Sequence, residues 1–208
     1  MDNIARRDHE LPYIADAAVI EEIRAARKLL YALNSTDLSD MEKLVGLTYQ
    51  LLGKAGHGAF INPPFYCDYG RHIEVGDHFF ANFNCTIIDV AKVLIGDNVL
   101  LGPNVAIYTA GHPVHPIARK SGYEYGIPVT IGDNVWIGGN AVVCPGVQIG
   151  ANTVIGAGSV VSKDIPSNVI AAGNPCKVIR EITDEDMKHY YKDRCFDEEA
   201  WSTIMQGR

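Results

Sequence analysis

From Ile131 to Pro166 the chain reads as six uninterrupted hexads, IGDNVW, IGGNAV, VCPGVQ, IGANTV, IGAGSV and VSKDIP, each opening on Ile or Val. The fifth residue of one hexad and the first of the next lie two apart, so they share one face of a short strand. That face is the one expected to be buried. The fourth places of the first five hexads hold Asn134, Asn140, Gly146, Asn152 and Gly158, residue types that tolerate positive φ, and most second places hold Gly. A tight turn therefore follows each strand, and three strands with their turns close a triangular coil of about eighteen residues. Stacked coils bury an aliphatic column that no single coil buries alone, so the pattern predicts a parallel β-solenoid.

The same phase appears earlier, at Ile95, Leu101 and Ile107, with VGDHFF from Val75 a looser instance. Val75 and Ile95 are twenty residues apart rather than eighteen, which places two extra residues near Asp89. From Thr109 to Pro128 the aliphatic repeat dissolves, and this stretch reads as a loop expelled from the solenoid. Loops displayed on a rigid scaffold are where chemistry tends to sit. Ahead of the repeats, Ile20, Ile23, Leu30 and Leu33 follow helical spacing behind Asp16 as cap. Ser39 and Glu42 form a capping-box signature for a second helix ending near Gly53, and Lys54 to Gly58 reads as a flexible connector. Thr183 and Asp186 repeat that signature for a C-terminal helix of roughly ten residues. The expected organisation is a helical segment over 1–60 packed on a solenoid over 61–182 with loop 109–128, then a helix and tail over 183–208.

Composition narrows the function. At 208 residues with 47% hydrophobic and 21% charged positions, the chain suits one elongated soluble core. Its formal charge of −7, without a basic stripe or basic amphipathic helix, argues against nucleic acid and against an anionic membrane as partners. The N-terminus lacks an apolar signal core and no apolar run is long enough to span a bilayer, so a cytoplasmic location is expected. The five cysteines are odd in number, widely spaced and without CxxC pairing, which reads as free thiols, with Cys85 and Cys144 as small core residues.

Candidate chemistry centres on His112 in Thr-Ala-Gly-His-Pro, where an imidazole at a scaffold edge suits proton abstraction near neutral pH. His115 is a second candidate. A zinc site would draw on His72, His78, His112 and His115, without a Cys or carboxylate arranged around them. No dinucleotide, P-loop or hydrolase-elbow motif is present. Lys163, Lys177 and Arg180 form an unpaired basic group past the last repeat, suited to phosphates. Trp136 falls at a sixth, outward place, where an indole calls for a neighbouring subunit or a flat ligand.

Several segments taken together resemble the maltose and galactoside O-acetyltransferases: Cys67-Asp-Tyr-Gly, Phe79-Phe-Ala-Asn-Phe-Asn84, Tyr108-Thr-Ala-Gly-His-Pro, Pro128 to Gly139, and Gly173-Asn-Pro-Cys. The resemblance runs from about Tyr13 to Arg180. It implies a left-handed parallel β-helix, a homotrimer with active sites between subunits, acetyl-CoA as co-substrate, a sugar as acceptor and no metal. It implies that His112 is the general base for direct transfer, with Asn82 and Asp16 contacting the acceptor. It implies that Trp136, Gly139 and Ala157 flank the pantetheine arm, with Ser162 and Lys163 further along and Lys177 and Arg180 near the phosphates. Asp89-Val90 stands where the galactoside branch has two acids, as in the maltose branch, leaving Asp89 alone for a sugar hydroxyl. Ile23 replaces an arginine of both branches, with Arg24 one place away, and Glu124 and Tyr125 replace apolar contacts of the galactoside type. A zinc-dependent hydratase or hydrolase and a non-catalytic scaffold remain as alternatives on the same framework.

Overall fold

The computed structural model describes residues 1–206. Every predicted fourth-place turn adopts the left-handed backbone: φ is 57° at Asn134, 60° at Asn140, 82° at Gly146, 57° at Asn152 and 70° at Gly158. His78 takes the same conformation at 56° in the looser Val75 hexad. The second-place glycines serve a different purpose. A Cβ on Gly76 would collide with Asp97 Oδ1, and one on Gly96 with Asp133 Oδ1. Those carboxylates need the space, because each accepts a backbone amide from the coil before it: Asp77 N donates to Asp97 at 2.7 Å and Asp97 N to Asp133 at 2.8 Å.

The coils build three sheets. The first face stacks Lys54–Ala55, Ile73–Val75, Val93–Ile95, Val129–Ile131 and Gln148–Ile149, all parallel. The second stacks Phe60–Ile61, Phe80–Ala81, Leu100–Leu101, Trp136–Ile137, Val154–Ile155 and Val169–Ala172. Lys177–Glu181 then returns antiparallel as its edge strand. The third stacks Phe65–Cys67, Cys85–Ile88, Ala106–Tyr108, Val142–Val143 and Val160–Val161. Inward residues such as Ile61, Ile87, Ile107, Val135, Ile137 and Val143 are all at most 1% exposed and form the column. Thr153 and Ser159, polar residues at buried fifth places, are satisfied by backbone carbonyls of Pro166 at 2.9 Å and Gly156 at 2.5 Å.

Ile95 pairs directly with Ile131, so the thirty-six residues between them form one coil plus the expelled loop, not two coils. The early coils advance by twenty residues, as Phe60 to Phe80 to Leu100 shows, and the later ones by eighteen, as Trp136 to Val154 shows. The extra residues fall on the edge between the third and first faces, after Cys67, after Ile88 and after Tyr108. Three successive insertions on one edge make a thickened shelf.

Helix α1 spans Asn3–Asp8, α2 Ala17–Asn34 and α3 Met41–Leu51. Asp16 caps α2 as expected, accepting from Ala18 N and Val19 N at 3.1 Å. The cap of α3 is Asp40, not Ser39, because Ser39 is held in a turn by Asp37 while Asp40 Oδ1 reaches Lys43 N. Leu30, Leu33, Leu44 and Leu51 of these helices close the open lower end of the column. The Asn34 amide supplies both hydrogen bonds that Phe65 would otherwise take from a further strand, each at 2.9 Å. The segment expected as a flexible connector is the first coil itself, since Lys54–Ala55 pairs with Glu74–Val75. At the C-terminus the Thr183–Asp186 box is present but caps only a five-residue 3-10 helix, Asp184–Lys188. The aromatic run Tyr190-Tyr191 then pairs as a hairpin strand, and α4, Glu198–Gln206, follows.

Candidate active site

The expelled loop leaves the third face and returns to the first over a short ladder, Ala110 opposite Gly126 and Gly111 opposite Tyr125. Gly111 has no room for a side chain, because a Cβ would lie 2.6 Å from the Tyr125 ring. His112 stands directly past this ladder with its side chain 58% exposed, and its Nε2 lies 4.0 Å from Glu124 Oε2. Glu124 is pinned by a backbone pair to Tyr13, at 2.9 and 3.0 Å, which ties the N-terminal arm to the loop. His115 is otherwise occupied: its Nδ1 accepts the Ile117 amide and caps the short helix Pro116–Lys120.

Behind His112 lies a small acidic interior. Asp68 is raised above the usual carboxylate range by burial first and by the neighbouring Glu124 charge second. Tyr13, fully buried, has its phenol pushed up by burial and then by Glu124. Asp16 sits lower than usual because the Asn3 side chain and the first amides of α2 hydrogen-bond its carboxylate. It is half-buried at the rim and retains access to solvent. Arg7, fully buried, fastens the arm to this shelf through Glu22 at 2.7 Å, Asp8 at 2.8 Å and the Tyr69 ring at 4.4 Å.

Asp89 does not take the place expected for it. It is 0% exposed, its Oδ1 accepts the amides of Asp68 at 3.0 Å and Tyr69 at 2.9 Å, and its Oδ2 is buried without a partner. Burial pushes its carboxyl up to about 7. The residue holds the shelf together from inside and is closed to a sugar hydroxyl, because its side chain turns back against the amides of the first insertion.

The candidate coenzyme residues follow another edge, between the second and third faces. Asn82, Gly139 and Ala157 occupy it in successive levels, linked through Asn82 N to Leu101 O at 3.0 Å, Gly102 N to Ile137 O at 2.8 Å and Gly158 N to Gly139 O at 2.9 Å. Gly102 is needed there, since a Cβ would come within 2.6 Å of Gly139 N. Trp136 precedes this edge and is 54% exposed, above Leu100 at 48%. Phe83, beside Asn82, is 42% exposed. The second face thus presents an apolar stripe rising toward Gly139. Gly173 to Cys176 folds over the top of the third face, with Cys176 N bound to Val160 O at 2.8 Å, and delivers Lys177 exposed at the same end. Ser162 and Lys163 are exposed on the edge that carries His112, some coils above it. Arg180 is not the free cation the sequence suggests, because Asp186 grips its guanidinium at 2.6 and 2.8 Å and holds the arginine above its ordinary range.

One chain therefore brings together His112, Asp68 and Glu124 on one edge, with Asp16 three residues along the arm from Tyr13, and Asn82, Trp136, Gly139 and Ala157 along another, with the third face between them. Asp68 and Glu124 carry no local sequence signal of a site residue beyond the place of Asp68 in the Cys67-Asp-Tyr-Gly segment and the replacement of an apolar contact by Glu124. His72 lies buried under α1 and His78 in a turn between the first and second faces. Among the described residues no three His, Cys, Asp or Glu side chains are gathered to hold a metal ion.

Comparison with known proteins fits this layout. The pattern described as bacterial transferase hexapeptide (six repeats) matches residues 128–163. Galactoside O-acetyltransferase of Escherichia coli strain K12 is 52% identical over 167 residues, 80% of this chain and 82% of that one. The crystal structure of a maltose O-acetyltransferase from Clostridium difficile 630 matches with TM-score 0.87 at 48% identity, covering 88% of this chain and 99% of the other. A galactoside acetyltransferase solved in complex with coenzyme A matches with TM-score 0.91 at 45% identity, covering 95% and 100%. Identity of this depth over four fifths or more of its length makes the chain a member of the galactoside and maltose O-acetyltransferase family of hexapeptide-repeat enzymes.

Proposed function

We propose that the protein transfers the acetyl group of acetyl-CoA to a hydroxyl of a sugar, directly, with His112 as general base. The observation that carries this reading is the pairing of an exposed imidazole on one edge with a second edge lined by Gly102, Gly138 and Gly139 beside the exposed Trp136 and Leu100. The imidazole takes the hydroxyl proton as the sugar oxygen attacks the thioester carbon. The carbon–oxygen bond forms, the carbon–sulfur bond breaks, and the proton passes from the imidazolium to the departing thiolate. Asp16, Asp68 and Glu124 line the acceptor side as hydrogen-bond acceptors for further hydroxyls. Asn82, on the other edge, completes the acceptor site from a neighbouring chain in a trimer. Trp136, Gly139 and Ala157 take the pantetheine, and Ser162, Lys163 and Lys177 the more polar end of the coenzyme. Arg180 joins them at the phosphates only where these displace Asp186.

His112→Ala is expected to lower turnover by about 10²- to 10⁴-fold with coenzyme A affinity kept, as loss of a general base predicts. Thiol release with maltose and an aryl galactoside as acceptors measures the first, and calorimetric titration of coenzyme A the second. Unchanged turnover would remove His112 from the mechanism. Mixing inactive His112→Ala chains with inactive Asn82→Ala chains tests the shared site, since mixed trimers regain intact sites only if the two residues come from different chains.

A further inference from the structure

The proposed mechanism needs His112 held to a fraction of an ångström, yet the residue stands on a loop with no aliphatic repeat to bury. The geometry points to Thr109 as the positioning residue for the base, an inference that rests on the proposed role of His112. Thr109 is the last residue before the loop leaves the solenoid, and it is 0% exposed. Its hydroxyl donates to Ile88 O at 2.7 Å and accepts from Ala91 N at 2.9 Å, so it spans the turn that carries Asp89 in the coil below. Its own backbone is engaged on both sides, with Thr109 N bound to Ile88 O at 3.0 Å and Ile127 N bound to Thr109 O at 2.8 Å. The outgoing limb, the returning limb and the coil beneath therefore meet at one side chain.

The reason lies in the interrupted repeat. The next coil's backbone accepts most amides of the coil below, and Asp carboxylates accept others at the turns; here the chain departs after Thr109, and the buried Ala91 N–H is met by the Thr109 hydroxyl alone. The threonine hydroxyl takes the place of the missing backbone carbonyl. The ladder of Ala110 with Gly126 and Gly111 with Tyr125 is built on this anchor, and His112 is the next residue. Gly126 seals the other side: a Cβ there would lie 2.9 Å from Ala91 N and Val90 Cγ1. Val is close in shape to Thr but lacks the hydroxyl, and Ser keeps the hydroxyl without the methyl group, so the two substitutions separate hydrogen bonding from packing.

The test measures steady-state acetylation of maltose and an aryl galactoside, together with coenzyme A affinity, in the trimer. Thr109→Val is expected to lower kcat by about 10- to 100-fold while coenzyme A affinity stays within about 2-fold, because the coenzyme edge is untouched. Thr109→Ser is expected to restore kcat to within about 3-fold of the parent. Should Thr109→Val fail to fold, Gly126→Ala strains the same anchor without removing a polar group and is expected to show the same selective loss of kcat. A lowered Tm with unchanged kcat in either variant, or a serine variant as slow as the valine one, would overturn the assignment. Failure of the underlying reading is distinguishable, since it appears as full activity in His112→Ala.

Discussion

The edge between the first and second faces and the edge between the third and first are built on the same coils, and they differ in almost everything else. The first repeats itself. Asp77, Asp97 and Asp133 each accept one amide from the preceding coil, and Asn98, Asn134 and Asn152 each donate to the next Asn side chain up the edge, ending on Asn168, at 2.9–3.1 Å. All of these contacts are solvent-exposed. On the other edge no contact occurs twice, and Arg7, Tyr13, Asp89 and Thr109 are each at most 1% exposed. Repetition gives redundancy, so a regular edge tolerates losses. A shelf of unique buried polar groups does not, and in exchange it can hold an imidazole, neighbouring acids and an N-terminal arm in one arrangement.

The largest expected contrast is in response to pH. Asp89 titrates near 7 in the folded chain against an ordinary 3.8, so the folded state binds the extra proton between those values. A raised carboxyl leaves stability intact below about pH 4 and withdraws it as pH rises through about 7, on the order of 4 kcal/mol in full. Asp89→Asn keeps an oxygen for the amides of Asp68 and Tyr69 and removes the titration. Urea midpoints of parent and variant are expected to diverge in the variant's favour between pH 5 and pH 8. Parallel profiles would mean that the shelf is as well solvated as the regular edge.

The next contrast is steric. Asn134 holds φ at 57°, a conformation in which a β-branched residue is strained. Asn134→Val is expected to cost about 1–3 kcal/mol by denaturant unfolding and Asn134→Gly less than about 1. Turnover at 25 °C and saturating acetyl-CoA is expected to be unchanged in both, because the turn lies on the edge opposite the third face, which has His112 along one side and Gly139 along the other. A valine variant that loses activity would show that the two edges are mechanically coupled.

This division also explains what could be read in advance. The regular edge announces itself, because a left-handed turn selects Asn at Asn98, Asn134 and Asn152, and the same selection at Asn140, Gly146 and Gly158 on the other two edges completes the period. Trp136 is outward and Asp16 a cap for equally local reasons. Asp89 shows the opposite case: the family resemblance offers it as a ligand-facing acid, and only the packing of Asp68–His72 from the preceding coil against it shows that it is buried. Arg180 is similar, since its partner Asp186 belongs to a cap whose helix ends after one turn. The thirty-six residues from Ile95 to Ile131 preserve the hexad count by coincidence, and only the strand register reveals one coil with an excursion. Separation of Asn82 from His112 onto different edges is likewise a property of winding that no single motif carries.

The smallest expected effect is the most direct test of redundancy. Asp97 Oδ1 accepts the Asp77 amide at 2.7 Å, and both residues are exposed, so water replaces the carboxylate as soon as it is removed. Asp97→Ala is therefore expected to lower stability by only about 0.5–1 kcal/mol in urea, the net value of one hydrogen bond that solvent can substitute. The neighbouring rungs, His57 N to Asp77 and Asn98 to Asn134, do not depend on the Asp97 side chain and keep the coils in register. Acetyl transfer should be unaltered, because the substitution lies across the prism from His112. A loss above about 2 kcal/mol would place this rung among the irreplaceable contacts and erase the distinction between the two edges.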